Sequence, residues 1–154
     1  MNQIAGILPL SHIQLDVVAT SKKRVFEQAG LLFENMLGIA RDKVFDSLLA
    51  RERLGSTGLG QQVAVPHGRI KGLKKASAAL IRVMEPLPFE APDGQPVKLM
   101  IFLLVPEAAN QTHLDLLSEL AQMLSDKVFR DALCQSPNAE EIHRLISQWT
   151  AFQS

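Results

Sequence analysis

Residues 97–105, VKLMIFLLV, are apolar at every position except Lys98. A strand with one wet face alternates apolar and polar residues, and this run does not, so both of its faces need cover. That places it at the middle of a sheet with helices on either side. At nine residues it is far short of the roughly 18 that span a membrane. Immediately upstream, ASAALIRVM (76–84) reads as a second long strand. EPLPFEAPDGQP (85–96) supplies the turns between them through Pro86, Pro88, Pro92 and the Asp93-Gly94 pair. VAV (63–65) is a third, short strand that ends at His67, because Pro66 pushes Val65 into extended geometry and has no N–H to give a ladder.

Helical periodicity surrounds these strands. Ser21 is placed to cap a helix whose Val25, Phe26, Ala29, Leu32, Phe33 and Met36 share one face. A second helix over Asp42 to Arg53 turns Val44, Phe45, Leu48 and Leu49 inward and stops before Gly55. Three more follow: 112–124, with Leu114, Leu117, Leu120 and Leu124 on a stripe; a short one from about 126; and 138–152, with Ile142, Leu145, Ile146 and Trp149. The expected architecture is a single α/β domain over about residues 5–150, a mixed sheet flanked by helices on both faces.

Composition narrows the function. The 154 residues carry 16 Lys+Arg against 16 Asp+Glu, so the broad positive field of a general nucleic-acid binder is missing. Aromatics are 5% with no tyrosine, which predicts an aliphatic core. The single cysteine, Cys134, reads as a small buried hydrophobe and suits a reducing cytoplasm. The N-terminal MNQIAGILPLSHIQLD lacks a basic start followed by a sustained apolar run, so neither a secretory signal nor membrane insertion is expected.

The chemistry concentrates in STGLGQQVAVPHGRIKG (56–72). A neutral imidazole offers one lone pair near pH 7, so His67 can be a nucleophile, a general base, a metal ligand or an ordinary structural residue. Its place at a strand end, stiffened by Pro66, is where α/β folds hold ligands. In GSTGLG (55–60), backbone N–H groups and the hydroxyls of Ser56 and Thr57 can converge on an anion; a flexible loop leaving a helix is the plainer reading. The segment is neither a P-loop nor a dinucleotide fingerprint. His113, near a helix start that Asn110 or Thr112 can cap, and Arg51, in the preceding helix, are candidate partners for a phosphoryl group. Each is otherwise a solvated surface residue. No Cys cluster, HExxH or His-rich tract supports a metal, no Gly-x-Ser-x-Gly supports a serine hydrolase, and no cofactor is expected. His12 and His143 have no supporting motif and read as incidental.

RERLGSTGLGQQVAVPHGRI (51–70) and LLVPEAANQTHLDLLSELAQML (103–124), taken together, resemble the IIA domains of the bacterial phosphoenolpyruvate-dependent phosphotransferase system. The resemblance is to the fructose/mannitol and nitrogen-regulatory superfamily, and within it to the nitrogen-regulatory branch, with its GSTG and PHG[KR] signature. It implies a phosphotransferase component that takes a phosphoryl group from an HPr-like carrier onto Nε2 of His67, with Nδ1 oriented by a protein partner. His113 matches the second active-site histidine, and Arg51 the arginine that contacts the phosphoryl group; Ser56 and Thr57 fall beside them as weaker phosphate-holding candidates. It also implies regulated partners in nitrogen and potassium physiology, such as potassium transport proteins or sensor kinases. Gln61-Gln62 departs from the pattern, standing where many members carry a pair with glycine, which predicts a less free backbone there. Arg69, Lys71, Lys74 and Lys75 form a positive cluster after His67 that can guide an acidic carrier or can be a solvated turn. Two other functions compete: a sugar-specific IIA subunit passing phosphate to a IIB domain, and an interaction module whose histidine is not phosphorylated.

Overall fold

The computed structural model describes residues 2–108 and 111–150. Strand β6 (Val97–Pro106) is buried at every residue from Leu99 to Val105 and holds the sheet together. On one side β5 (Ser77–Leu87) lies antiparallel to it, with Ser77 opposite Leu104 and Arg82 opposite Leu99, and β1 (Ile13–Val17) adds a parallel edge to β5. On the other side β3 (Val63–Ala64) and β4 (His67–Ile70) both run parallel to β6. Strand β2 (Gly58–Gly60) pairs antiparallel with β3 and closes that edge.

The pleat splits the core into two layers. Leu99, Ile101, Leu103 and Val105 meet the layer that holds Leu116, Leu120, Leu133, Ile142 and Ile146. Those residues come from α3 (Gln111–Ser125), α4 (Lys127–Gln135) and α5 (Ala139–Gln148). Met100, Phe102 and Leu104 face α1 (Lys22–Leu37) and α2 (Arg41–Arg53) on the other side. Caps fix three helix starts: Ser21, Asp126 and Asn138 accept from the N–H of Arg24, Phe129 and Glu141. No helix among the described residues is long and apolar enough to cross a membrane.

The mixed sheet with helices on both faces is the expected architecture; several details differ. The short strand stops at Ala64, and a new one begins at His67 instead of the chain leaving the sheet there. Both keep one register along β6, Val63 opposite Leu99 and His67 opposite Leu103, so Pro66 interrupts a single path without diverting it. The Leu103 N–H donates to the Pro66 carbonyl across the gap at 2.9 Å. Strand β5 runs on through Glu85 and Pro86 to Leu87, which pairs with Val97. Its partner β1 is last paired at Val83, so Pro86 breaks no ladder bond on that side.

Phe26, Phe33, Phe89 and Phe102 are all fully buried on the α1/α2 side, so only the opposite layer approaches the aliphatic core that composition predicts. Met36 and Leu114 are exposed rather than inward; Leu116 and Met123 take inward places on α3. Thr112 sits inside α3 and is not its cap, while Asn110 lies outside the described residues, as do 151 and 152 of the last expected helix.

Gln61 and Gln62 take backbone angles that glycine adopts more freely, where the family pattern carries a pair with glycine. With φ of 57° and 68° they form the two-residue turn between β2 and β3, both in the left-handed region that normally selects Asn-Gly. Asp93 holds the turn by accepting from the Gln61 N–H at 2.8 Å, and the Gln62 carbonyl accepts from the N–H of Lys98 and Leu99.

Candidate active site

The His67 side chain reaches back over the Val65-Pro66 peptide: its Nδ1 lies 2.9 Å from the Val65 carbonyl oxygen. A carbonyl only accepts, so Nδ1 carries the ring proton and Nε2 keeps the lone pair. His67 is half-buried, and burial holds it below the ordinary histidine value. The Val65 bond opposes that shift, and repulsion from the nearby Arg51 guanidinium adds to it. The ring is therefore neutral, and nucleophilic at Nε2, at physiological pH.

Three other elements bring partners to it. His113, in the first turn of α3, stands edge-on to His67 with ring centroids 5.4 Å apart at 80°. Its Nδ1 is buried with no hydrogen-bond partner among the described residues. Burial, then the proximity of His67 and Arg69, lowers its proton affinity as well, so two neutral imidazoles coexist here. Arg51, near the end of α2, donates to the Gly55 carbonyl at 2.9 Å and shares with His67 a cleft of about 270 Å³ closed by Leu117 and Ala121 of α3. Helix α2 can lie this close to β4 because residue 68 is glycine: a Cβ there would come 2.4 Å from Ser47 Oγ and 3.2 Å from the Ser47 carbonyl carbon. Ser47 Oγ in turn donates to the Arg69 carbonyl at 2.8 Å, pinning α2 to β4.

Ser56 and Thr57 line the same cleft, but their hydroxyl protons are committed elsewhere. Ser56 donates to the Phe89 carbonyl at 2.8 Å and accepts from the Gly58 N–H. Thr57 is buried and donates to Glu52 at 2.6 Å, with its own N–H on the other Glu52 oxygen. Glu52 is the residue the sequence reading missed: it is buried, holds the 55–60 loop through Thr57, and is neutralised by Lys22 Nζ at 2.8 Å. Its signal was present, since Val44, Leu48 and Glu52 fall at successive i+4 positions on the inward face. The positive cluster divides: Arg69 reaches the Glu107 carbonyl beside the His113 helix, while Lys71, Lys74 and Lys75 line a different pocket that shares no residue with the His67 cleft. No group of three or more metal-ligating side chains occurs among the described residues.

The site thus joins an imidazole with one nitrogen locked to an arginine that lines the same small cleft. The family model of the phosphoenolpyruvate-dependent sugar phosphotransferase system, EIIA 2, matches residues 7–149, and the chain belongs to that family. It is thus a phosphotransferase component of the kind that accepts phosphate on a histidine. It is 40% identical over 147 residues to a protein of Pseudomonas aeruginosa described as a nitrogen regulatory protein, covering 95% of this chain and 96% of that one. The crystal structure of nitrogen regulatory protein IIA-Ntr from Neisseria meningitidis superposes with a TM-score of 0.90 at 52% identity, covering 94% and 99% of the two chains. The IIA mannitol structure from Escherichia coli, 23% identical with a TM-score of 0.76 over 90% and 97%, shares the fold.

Proposed function

We propose that the protein is a phosphocarrier of the nitrogen-related phosphotransferase branch and that His67 Nε2 is its acceptor atom. The observation that carries this reading is the 2.9 Å Nδ1–carbonyl contact, which leaves Nε2 as the one lone pair of a ring that lines a cleft together with Arg51. The relatives named for nitrogen regulation, at 40% and 52% identity, favour this branch over sugar uptake.

In the transfer, Nε2 attacks the phosphorus of a phosphohistidine on an HPr-like carrier. The N–P bond to the carrier breaks as the new one forms, and the carrier ring leaves as neutral imidazole because its other nitrogen is already protonated. His67 keeps its Nδ1 proton on the Val65 carbonyl, which stabilises the positive charge its ring acquires. Arg51 offsets charge on the phosphoryl oxygens, and His113 steadies the group from the other side. Ser56 and Thr57 shape the loop around the phosphoryl group, Thr57 through Glu52. Phosphorylation places about two negative charges at the cleft mouth, which changes which regulated partner, in nitrogen or potassium physiology, docks there.

Intact-protein mass spectrometry at mildly alkaline pH, after incubation with phosphoenolpyruvate, the first relay enzyme and an HPr-type carrier, tests the reading. One added phosphoryl group that disappears in His67→Ala is expected; an addition that survives the substitution places the acceptor elsewhere.

A further inference from the structure

On the α1/α2 side, away from the His67 cleft, a second pocket of about 750 Å³ opens between the α1–α2 connection, the N-terminal segment and the loop after β4. Its size falls within the range of small-molecule sites. Its floor is apolar, with Leu37, Ile70 and Leu73 among the lining residues. Its rim is Lys43, Lys71, Lys74 and Lys75, all exposed, and no carboxylate among the described residues lines it. In a chain whose positive and negative residues balance at 16 each, four lysines around one opening without an acid is a local field of a single sign. None of the four makes an ion pair among the described residues; Lys43 Nζ donates only to the Lys71 carbonyl, at 2.6 Å.

Two buried polar residues, His12 and Ser77, also line it. His12 is 5% exposed, and its Nδ1 lies 2.9 Å from the Ala78 carbonyl oxygen, so its Nε2 keeps a lone pair when the ring is neutral. The ring edge rests on Phe33. The pocket therefore combines an apolar floor, one imidazole and a cationic mouth.

We propose that this pocket binds a small organic anion, an apolar body seated over Ile70 and Leu73 with a carboxylate or phosphate head held by Lys71, Lys74, Lys75 and Lys43. The apolar body supplies affinity by area removed from water, and the lysines supply selection for the anion, in keeping with their role as mobile point charges. The site is independent of the His67 reading, because the two openings have no residue in common.

The test titrates the full chain, labelled with 15N, with octyl phosphate and octanoate, using octanol and inorganic phosphate as half-ligands. One saturable site is expected, with amide shifts centred on residues 37–43 and 70–77. Octanol and inorganic phosphate should bind at least tenfold more weakly, and the better of the two anions identifies the head group. Lys71→Ala/Lys74→Ala/Lys75→Ala should weaken the anion at least tenfold while phosphoryl acceptance at His67 stays within twofold, which separates failure of this site from failure of the carrier reading. Equal binding of octanol, unchanged affinity in the triple variant, or shifts centred on the His67 cleft would overturn the proposal. So would association seen only with vesicles of anionic lipid, which would assign the lysines to a membrane surface.

Discussion

Two histidines of this chain have the same local lock. In His67 and in His12, Nδ1 lies 2.9 Å from a backbone carbonyl and Nε2 is left as the lone pair. Their surroundings differ. His67 is half-buried at the start of β4, beside a second imidazole and a guanidinium in a cleft of about 270 Å³. His12 is almost fully buried under Phe33, and among the described residues the cations that line its pocket are lysines at the rim. The backbone differs too: the large pocket makes its left-handed turns with Gly38 and Gly72, whereas the hairpin that walls the His67 cleft adds Gln61 and Gln62 to the left-handed Gly60. On the proposed reading, tautomer alone does not make an acceptor; access for a protein-borne phosphoryl group and a cation to meet it do.

The sharpest way to break this contrast is to remove each ring in turn. His67→Ala should abolish phosphoryl acceptance and leave the thermal unfolding midpoint within a few degrees of wild type. His12→Ala should leave acceptance within about twofold and cost about 2 kcal/mol of stability for its lost bond and packing, read by urea denaturation. Acceptance lost in His12→Ala at full folding would erase the distinction.

The partners give the next effect. Arg51→Ala should slow transfer by about 100-fold, in line with the loss of one preorganised charge donor. His113→Ala should slow it by about tenfold without removing the acceptor, as followed by quench-flow with a labelled carrier. Equal rates in all three proteins would show that the lone pair needs no help.

A smaller test addresses the backbone. Gln61→Asn/Gln62→Gly replaces two strained left-handed residues by the pair that prefers this turn and should stabilise the fold by about 1 kcal/mol in urea titration. A loss of stability would mean that the glutamine side chains contribute more than the strain costs.

The smallest effect is in pH. Because burial, helped by Arg51, weakens proton binding in the folded state, His67 should titrate below about 6.5 by NMR of the ring, and acceptance should fall only as pH drops through that lower value. The unfolded chain binds the proton more readily, so the stability His67 contributes is complete above the unfolded value and is lost as pH falls. Arg51→Ala should move the midpoint upward; no movement would remove the arginine from the ring's environment.

The central strand and all five helices were legible because periodicity had a strong signal, and the motifs named His67, His113 and Arg51, which the fold brings close together. What escaped depends on distant partners. Strand β2 is three residues of Gly-Leu-Gly that pair only because β3 is beside them, and nothing in GSTGLG distinguishes a strand from a loop. Strand β4 was hidden behind Pro66, because the register that carries the chain across the proline belongs to β6. The hydroxyls of Ser56 and Thr57 looked free for an anion until Glu52 and the Phe89 carbonyl claimed them. The lysines after His67 looked like one cluster with Arg69, yet they line an opening on another part of the surface.

The interrupted path of β3 and β4 along β6 also has a kinetic meaning. His67 sits before, and His113 after, the whole of β5, its turn and β6, so the imidazole pair exists only once β4 has docked against a strand formed much later in the chain. Parallel pairing across such a separation is slow because loop closure precedes its reward. During synthesis the His67 ring, the proposed acceptor, would emerge well before its neighbours are in place. Phosphoryl acceptance is therefore a stricter assay of a finished fold than helix content, and a refolding experiment followed by both signals should show helices returning first.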